Sequence, residues 1–83
     1  MALERLRLAR KKSIGTKQTV KAIEKGTARE VFVARDAEEH IVRDVLKAAR
    51  DKGLDVNVVE SMVALGKACG IEVGAAAAAV LDG

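Results

Sequence analysis

The 83-residue chain has the length of one small domain, with 49% hydrophobic and 33% charged residues, a balance that excludes a disordered polyelectrolyte. No apolar run approaches the ~20 residues that span a bilayer, and the Met1 start reads straight into helix-like sequence without a signal-peptide pattern, so a cytoplasmic location is expected. Residues 1–21 carry seven bases against one acid, net +6, and the other 62 residues carry eight bases and eleven acids, net −3; such asymmetry favours a polyanionic partner on one side of the molecule.

Leu3, Leu6 and Ala9 at a spacing of three predict a short first helix with a basic outer face. Ser13-Ile14-Gly15 has room for no more than a brief strand. Thr16 is placed to cap a second helix, Lys17–Lys25, which Gly26 ends, with Val20 and Ile23 pointing inward and Lys17 and Lys21 one turn apart on another face. Glu30–Arg35, an apolar run with charged ends, reads as a strand covered on both faces. Asp36 followed by Glu39 resembles a capping box for a third helix. This helix would run to Lys52, bury Ile41, Val42, Val45, Leu46, Ala48 and Ala49, and stop at Gly53. Val56–Val59 is the next strand, and Ser61 caps a fourth helix through Met62, Leu65 and Cys69 that Gly70 closes. Ala75–Ala79 has high helix propensity, yet it follows a glycine-flanked loop and completes the alternation, so it is read as a strand. Strict alternation of helix and strand predicts one layered α/β sandwich with helices on both faces of the sheet.

Chemistry-bearing residues are few. Cys69 is the single cysteine and reads as a small buried apolar residue; His40, among Glu38, Glu39 and Arg43, reads as a solvated helix position. No serine–histidine–acid set, metal-ligand cluster or dinucleotide fingerprint is present, so neither enzyme activity, a small-molecule substrate, a cofactor nor a metal is expected. Phe32 is the only aromatic residue, which removes the usual means of stacking single-stranded bases. An RNA partner would have to be folded, and recognised by its backbone, its shape and exposed base edges.

Two segments could do this. In Gly15-Thr16-Lys17-Gln18-Thr19-Val20-Lys21, a glycine before a helix start admits close backbone approach, and the first-turn N–H groups favour phosphate. Lys17 and Lys21 add charge, and Gln18 can donate to and accept from a base edge; an ordinary capped surface helix is the plainer alternative. In Gly70-Ile71-Glu72-Val73-Gly74, two apolar residues sit in a glycine-bounded loop and either tuck into the domain or await a cover such as an unstacked base.

Gly15-Thr16-Lys17-Gln18-x-x-Lys21 together with Leu65-Gly66-Lys67-Ala68-Cys69-Gly70-Ile71-Glu72-Val73-Gly74-Ala75-Ala76 resembles the kink-turn-binding ribosomal protein family, L-seven-Ae, above all its small bacterial YbxF-type members. The resemblance covers nearly the whole chain and implies a three-layer α-β-α sandwich around a four-stranded mixed sheet. It also implies binding, as a monomer, to kink-turns in ribosomal or other structured RNA, where a bulge beside tandem sheared G·A pairs bends the helix. Gly15, Thr16, Lys17, Gln18 and Lys21 would contact the sheared pairs and nearby phosphates, and Ile71, Glu72, Val73, Gly74 and Ala75 would cover the bulged nucleotides. Archaeal and eukaryotic members have Asn-Glu where this chain has Lys17-Gln18. Gln18 keeps an acceptor without the negative charge, and Lys17 adds a cation that cannot accept, so binding should survive with altered base selectivity and affinity. Glu38 falls near a position where some members use an acid at the bulge. The competing class is a protein–protein module of the same fold, in which the basic helix start would be idle.

Overall fold

Strand β2, Ala28–Ala34, is the spine of the molecule, because its alternate side chains enter two separate cores. In the computed structural model, which describes residues 2–82, the elements are α1 (Ala2–Leu8), β1 (Lys12–Ile14), α2 (Thr16–Lys25), β2, α3 (Glu39–Asp51), β3 (Val56–Val59), α4 (Met62–Cys69) and β4 (Ala77–Leu81). The sheet order is β1-β4-β2-β3; β4 is antiparallel to both its neighbours, and β2 and β3 are parallel.

Val31 and Val33 face one way, joined by Ala77 and Ala79 of β4, and meet Ile23 of α2 and Val42, Val45 and Ala49 of α3. Phe32 and Ala34 face the other way with Ala78, and meet Leu6 of α1 and Leu65, Ala68 and Cys69 of α4. The period-2 alternation of β2 and β4 thus divides the apolar residues between two layers, giving the three-layer sandwich with a mixed four-stranded sheet. Alanines at β4 leave the sheet thin where helices cover both its faces. This is the use the structure makes of a segment whose propensity alone favours a helix, since pairing with β1 and β2 satisfies its backbone.

Several local details depart from the sequence reading. Thr16 does not cap α2: the helix begins at Thr16 itself, Gly15 is the N-cap, and no side chain bonds the first turn. The Asp36–Glu39 capping box does not form either; Glu38 is the N-cap of α3, again without a side-chain cap. Asp36 instead accepts a hydrogen bond from the Met62 amide at 2.8 Å, so it serves the start of α4 across 26 residues, beside the expected Ser61–Ala64 cap at 3.0 Å. Ile41, expected in the core, is 40% exposed. The last strand begins at Ala77, two residues later than expected, because Ala75 and Ala76 complete the preceding loop. Cys69 is buried, and burial pushes its thiol up, with the charge of Lys12 acting in the opposite direction. His40 lies on the exposed surface, 3.3 Å from Glu38.

Candidate nucleic-acid interface

The start of α2 is fixed to the sheet from two directions. Gly15 adopts φ +95°, a backbone state that a side chain rarely tolerates, and its N–H donates to the Ala77 carbonyl at 2.8 Å. Four residues on, Thr19 is wholly buried and its hydroxyl lies 3.0 Å from that of Ser13 in β1. Thr19 is also the first residue of α2 whose amide reaches an intrahelical acceptor, the Gly15 carbonyl at 3.1 Å. The amides of Thr16, Lys17 and Gln18 precede that bond, and no side chain caps them. They stand at the positive end of the helix dipole with Lys17, Gln18 and Lys21 exposed around them. The missing cap is therefore a chemical property of the site: donors that a serine or threonine would have consumed remain open to an anion.

The second segment is held by backbone. Gly70 closes α4 in the left-handed conformation, and the Ile71 amide reaches back to the Gly66 carbonyl at 3.1 Å. Further along, the Ala75 amide donates to the Met62 carbonyl at 3.0 Å and the Ala34 amide to the Ala76 carbonyl at 2.9 Å. The loop so anchored lies directly on α4. A side chain at Gly66 would collide with the Val73 carbonyl oxygen, and one at Gly74 would press on Met62. The glycines of Gly66-Lys67 and Val73-Gly74 thus serve the packing of loop on helix.

The ten residues singled out from sequence divide by role in this geometry. Lys17, Gln18, Lys21, Glu72, Val73 and Gly74 are exposed; Gly15, Thr16 and Ile71 are half-buried. Val73 is 71% exposed, although it is an apolar side chain, whereas Ile71 packs against the core beside Phe32 and Leu65. Ala75 is buried in that same core, so its methyl group is part of the scaffold. The Gly15–Ala77 hydrogen bond sets the two segments side by side at one end of the sheet, since Ala77 follows the loop directly.

Sequence reasoning missed two residues here. Ile41, in the first turn of α3, lines a shallow groove with Thr16, Lys17, Val20, Lys21 and Asp44, so it faces the open side of α2. Its position in the apolar periodicity of α3 marks it as core, and only the placement of α2 shows otherwise. Thr19 was read as one letter of a motif; its buried hydroxyl pair depends on β1 lying beneath it. Glu38 stands at the start of α3, three residues before Ile41, and is exposed. No described helix is long and apolar enough to cross a membrane, and no group of three or more metal-ligating side chains occurs among the described residues.

The family model for the ribosomal protein L7Ae/L30e/S12e/Gadd45 family matches residues 2–83. The chain belongs to this family. Among its relatives, the RNA-binding protein YbxF of Geobacillus stearothermophilus is 49% identical over 81 residues, which cover 98% of this chain and 99% of that protein. The large ribosomal subunit protein eL8 of Haloquadratum walsbyi is 46% identical over 85 residues, covering 98% of this chain and 71% of the relative. Among solved structures, the Giardia lamblia 15.5kD RNA binding protein superposes with a TM-score of 0.87 at 27% identity, over 99% of this chain and 72% of that one. The L7Ae-type sandwich expected from the sequence is thus the fold observed. The names of these relatives accord with the reading that this member of the family is not an enzyme.

Proposed function

We propose that the protein binds structured RNA and stabilises a kink-turn, in which a bulge beside sheared G·A pairs bends the helix sharply. The observation that carries the proposal is the uncapped start of α2, tied through Gly15 to the strand that follows the Val73 loop. A straight duplex offers a regular run of phosphates. A kinked one offers, within a short distance, phosphates, opened base edges and unstacked bases. The protein has one group for each: free amides with Lys17 and Lys21 for phosphate, Gln18 for a base edge, and Val73 for an apolar base face. Phe32, the sole aromatic, is fully buried, which supports recognition of a folded RNA over stacking on single strands. The relatives named RNA-binding protein and ribosomal subunit protein support the class of partner. On this reading the protein acts as a monomer in the cytoplasm, on ribosomal or other kinked RNA.

The amide cluster, the glutamine and Val73 can all be engaged only when the RNA is bent, so binding draws the RNA from its extended toward its kinked form by the difference in affinity for the two. Titration of the protein with a kink-turn RNA and with a straight duplex of equal length, at one salt concentration, tests this. Much tighter binding of the kink-turn is expected; equal affinities would contradict the proposal.

A further inference from the structure

Past Lys21 the two flanks of α2 carry opposite charge, and this selects a path for RNA beyond the helix start. On the flank toward β1, Gln18, Lys21 and Lys25 form one stripe along α2 and face Ser13, Thr27 and Leu81 across a groove of about 340 Å³ that no carboxylate of the described residues lines. On the flank toward α3, the groove beside the same half of α2 is lined by Glu24, Asp44 and Asp51 with a single cation, Lys47. Among the described residues, Lys21 and Lys25 make no ion pair, so no described carboxylate neutralises their charge. The β1 groove also has a free backbone edge. β1 is the outermost strand and is joined to β4 through the Lys11 carbonyl and the Gly15 amide; alternation then turns the Lys12 and Ile14 amides outward.

We infer that one stem of the bound RNA leaves the start of α2 along the β1 groove, with its phosphate chain passing Lys21 and reaching Lys25. This rests on the functional reading above and adds to it a direction and a second, purely electrostatic contact zone. From Gln18 to Lys25 the helix rises about 10 Å, so Lys25 meets a phosphate further along the strand than the one held at the helix start. A polyanion starting at the free amides is drawn to the lysine flank and repelled by the three carboxylates on the other. The zone carries no base-reading group beyond Gln18, so it adds affinity without sequence preference.

The test compares Lys25→Gln with Lys47→Gln, an exposed lysine on the acidic flank, against a kink-turn RNA with two long stems and two versions with one stem or the other cut short. Lys25→Gln is expected to weaken binding of the long-stemmed RNA about five- to eightfold at about 0.1 M salt and to flatten the log–log salt slope by about 0.7–0.9. On one of the two shortened RNAs the variant and the parent should bind alike, because the phosphate that Lys25 meets has been removed. Lys47→Gln should keep the parent affinity and slope throughout. Parent-like binding by Lys25→Gln on every RNA, or an equal loss from Lys47→Gln, overturns the proposed path while leaving the kink preference of the parent in place. Loss of that preference in the parent itself would contradict the functional reading, and the groove with it.

Discussion

The start of α2 and the loop at Val73 lie side by side but are built in different ways. The first is a helix end held by a buried hydroxyl pair and a glycine whose positive φ a side chain would not tolerate, and it presents charge and hydrogen-bond donors. The second is a loop held by backbone bonds and by the absence of side chains at Gly66 and Gly74, and it presents one apolar residue. The difference shows how each contact must fail. On the proposed function, the helix end should lose RNA affinity when its charges are removed, with little effect on folding. The loop is lost when something is added beneath it.

The largest expected effect follows from that contrast. Gly66→Ala places a methyl group against the Val73 carbonyl, which belongs to backbone anchored at both ends. Alanine would favour the helix by up to about 1 kcal/mol, but overpacking of this kind costs about 1–3 kcal/mol. Denaturant unfolding should show a net loss and RNA titration a further loss per folded molecule; a more stable variant with unchanged binding would show that the loop can shift freely.

Comparable in stability, but without a direct effect on the loop, is the hydroxyl pair under α2. Thr19→Val leaves the buried Ser13 hydroxyl without its partner and should cost about 1–3 kcal/mol, whereas Thr19→Val with Ser13→Ala removes both groups and should recover most of that loss. Equal destabilisation by single and double variants would mean that the pair does not hold the helix start.

Lys17→Ala and Lys21→Ala should leave unfolding nearly unchanged, because both side chains are exposed and make no ion pair among the described residues. Each should flatten the salt dependence of RNA binding by about 0.7–0.9 in log–log slope. Val73→Ala should likewise alter stability by less than about 0.5 kcal/mol while weakening RNA binding. Ile71→Ala should lose both, since its side chain packs on the Phe32 core. A large stability loss from Val73→Ala with binding intact would assign that residue to the scaffold.

The smallest effect lies at the opposite end of β2, where Arg5 makes a paired hydrogen bond to Glu30 at 2.7–2.9 Å. That bond holds the Glu30 carboxyl below its ordinary range. The contribution is therefore present above the ordinary carboxylate range and fades as pH falls through the lowered folded value. Glu30→Gln should flatten the acid side of the stability profile slightly and leave RNA binding unaltered. A strong effect on binding would place this pair within the interface.

Element order was legible in the sequence because its signals are local. Gly26, Gly53 and Gly70 end helices, Ser61 starts one, and the run around Phe32 is apolar on both faces. What escaped depends on partners distant in the chain. Asp36 looks like the cap of the helix that follows it, and only the fold brings the Met62 amide within reach. Ile41 fits the core periodicity of α3, and its exposure depends on the angle at which α2 lies beside it. Thr16 has the right chemistry for a cap, yet Gly15 takes that position because its φ of +95° suits the turn into the helix. The candidate site was legible as two short motifs. Their adjacency, through one bond between Gly15 and Ala77, was not, because it spans the sheet.

The central claim is that the two regions act together on a bent RNA, and the shape of the RNA itself is the most direct readout. A kink-turn RNA labelled at the ends of its two stems should be titrated with protein at low divalent salt, where the extended form dominates, while energy transfer between the labels is followed. The account predicts that the stem ends approach in a saturable transition with the midpoint seen in binding, and that Val73→Ala combined with Lys17→Ala shifts that midpoint to higher protein concentration. Saturable binding with no change in the distance between the stem ends would contradict it.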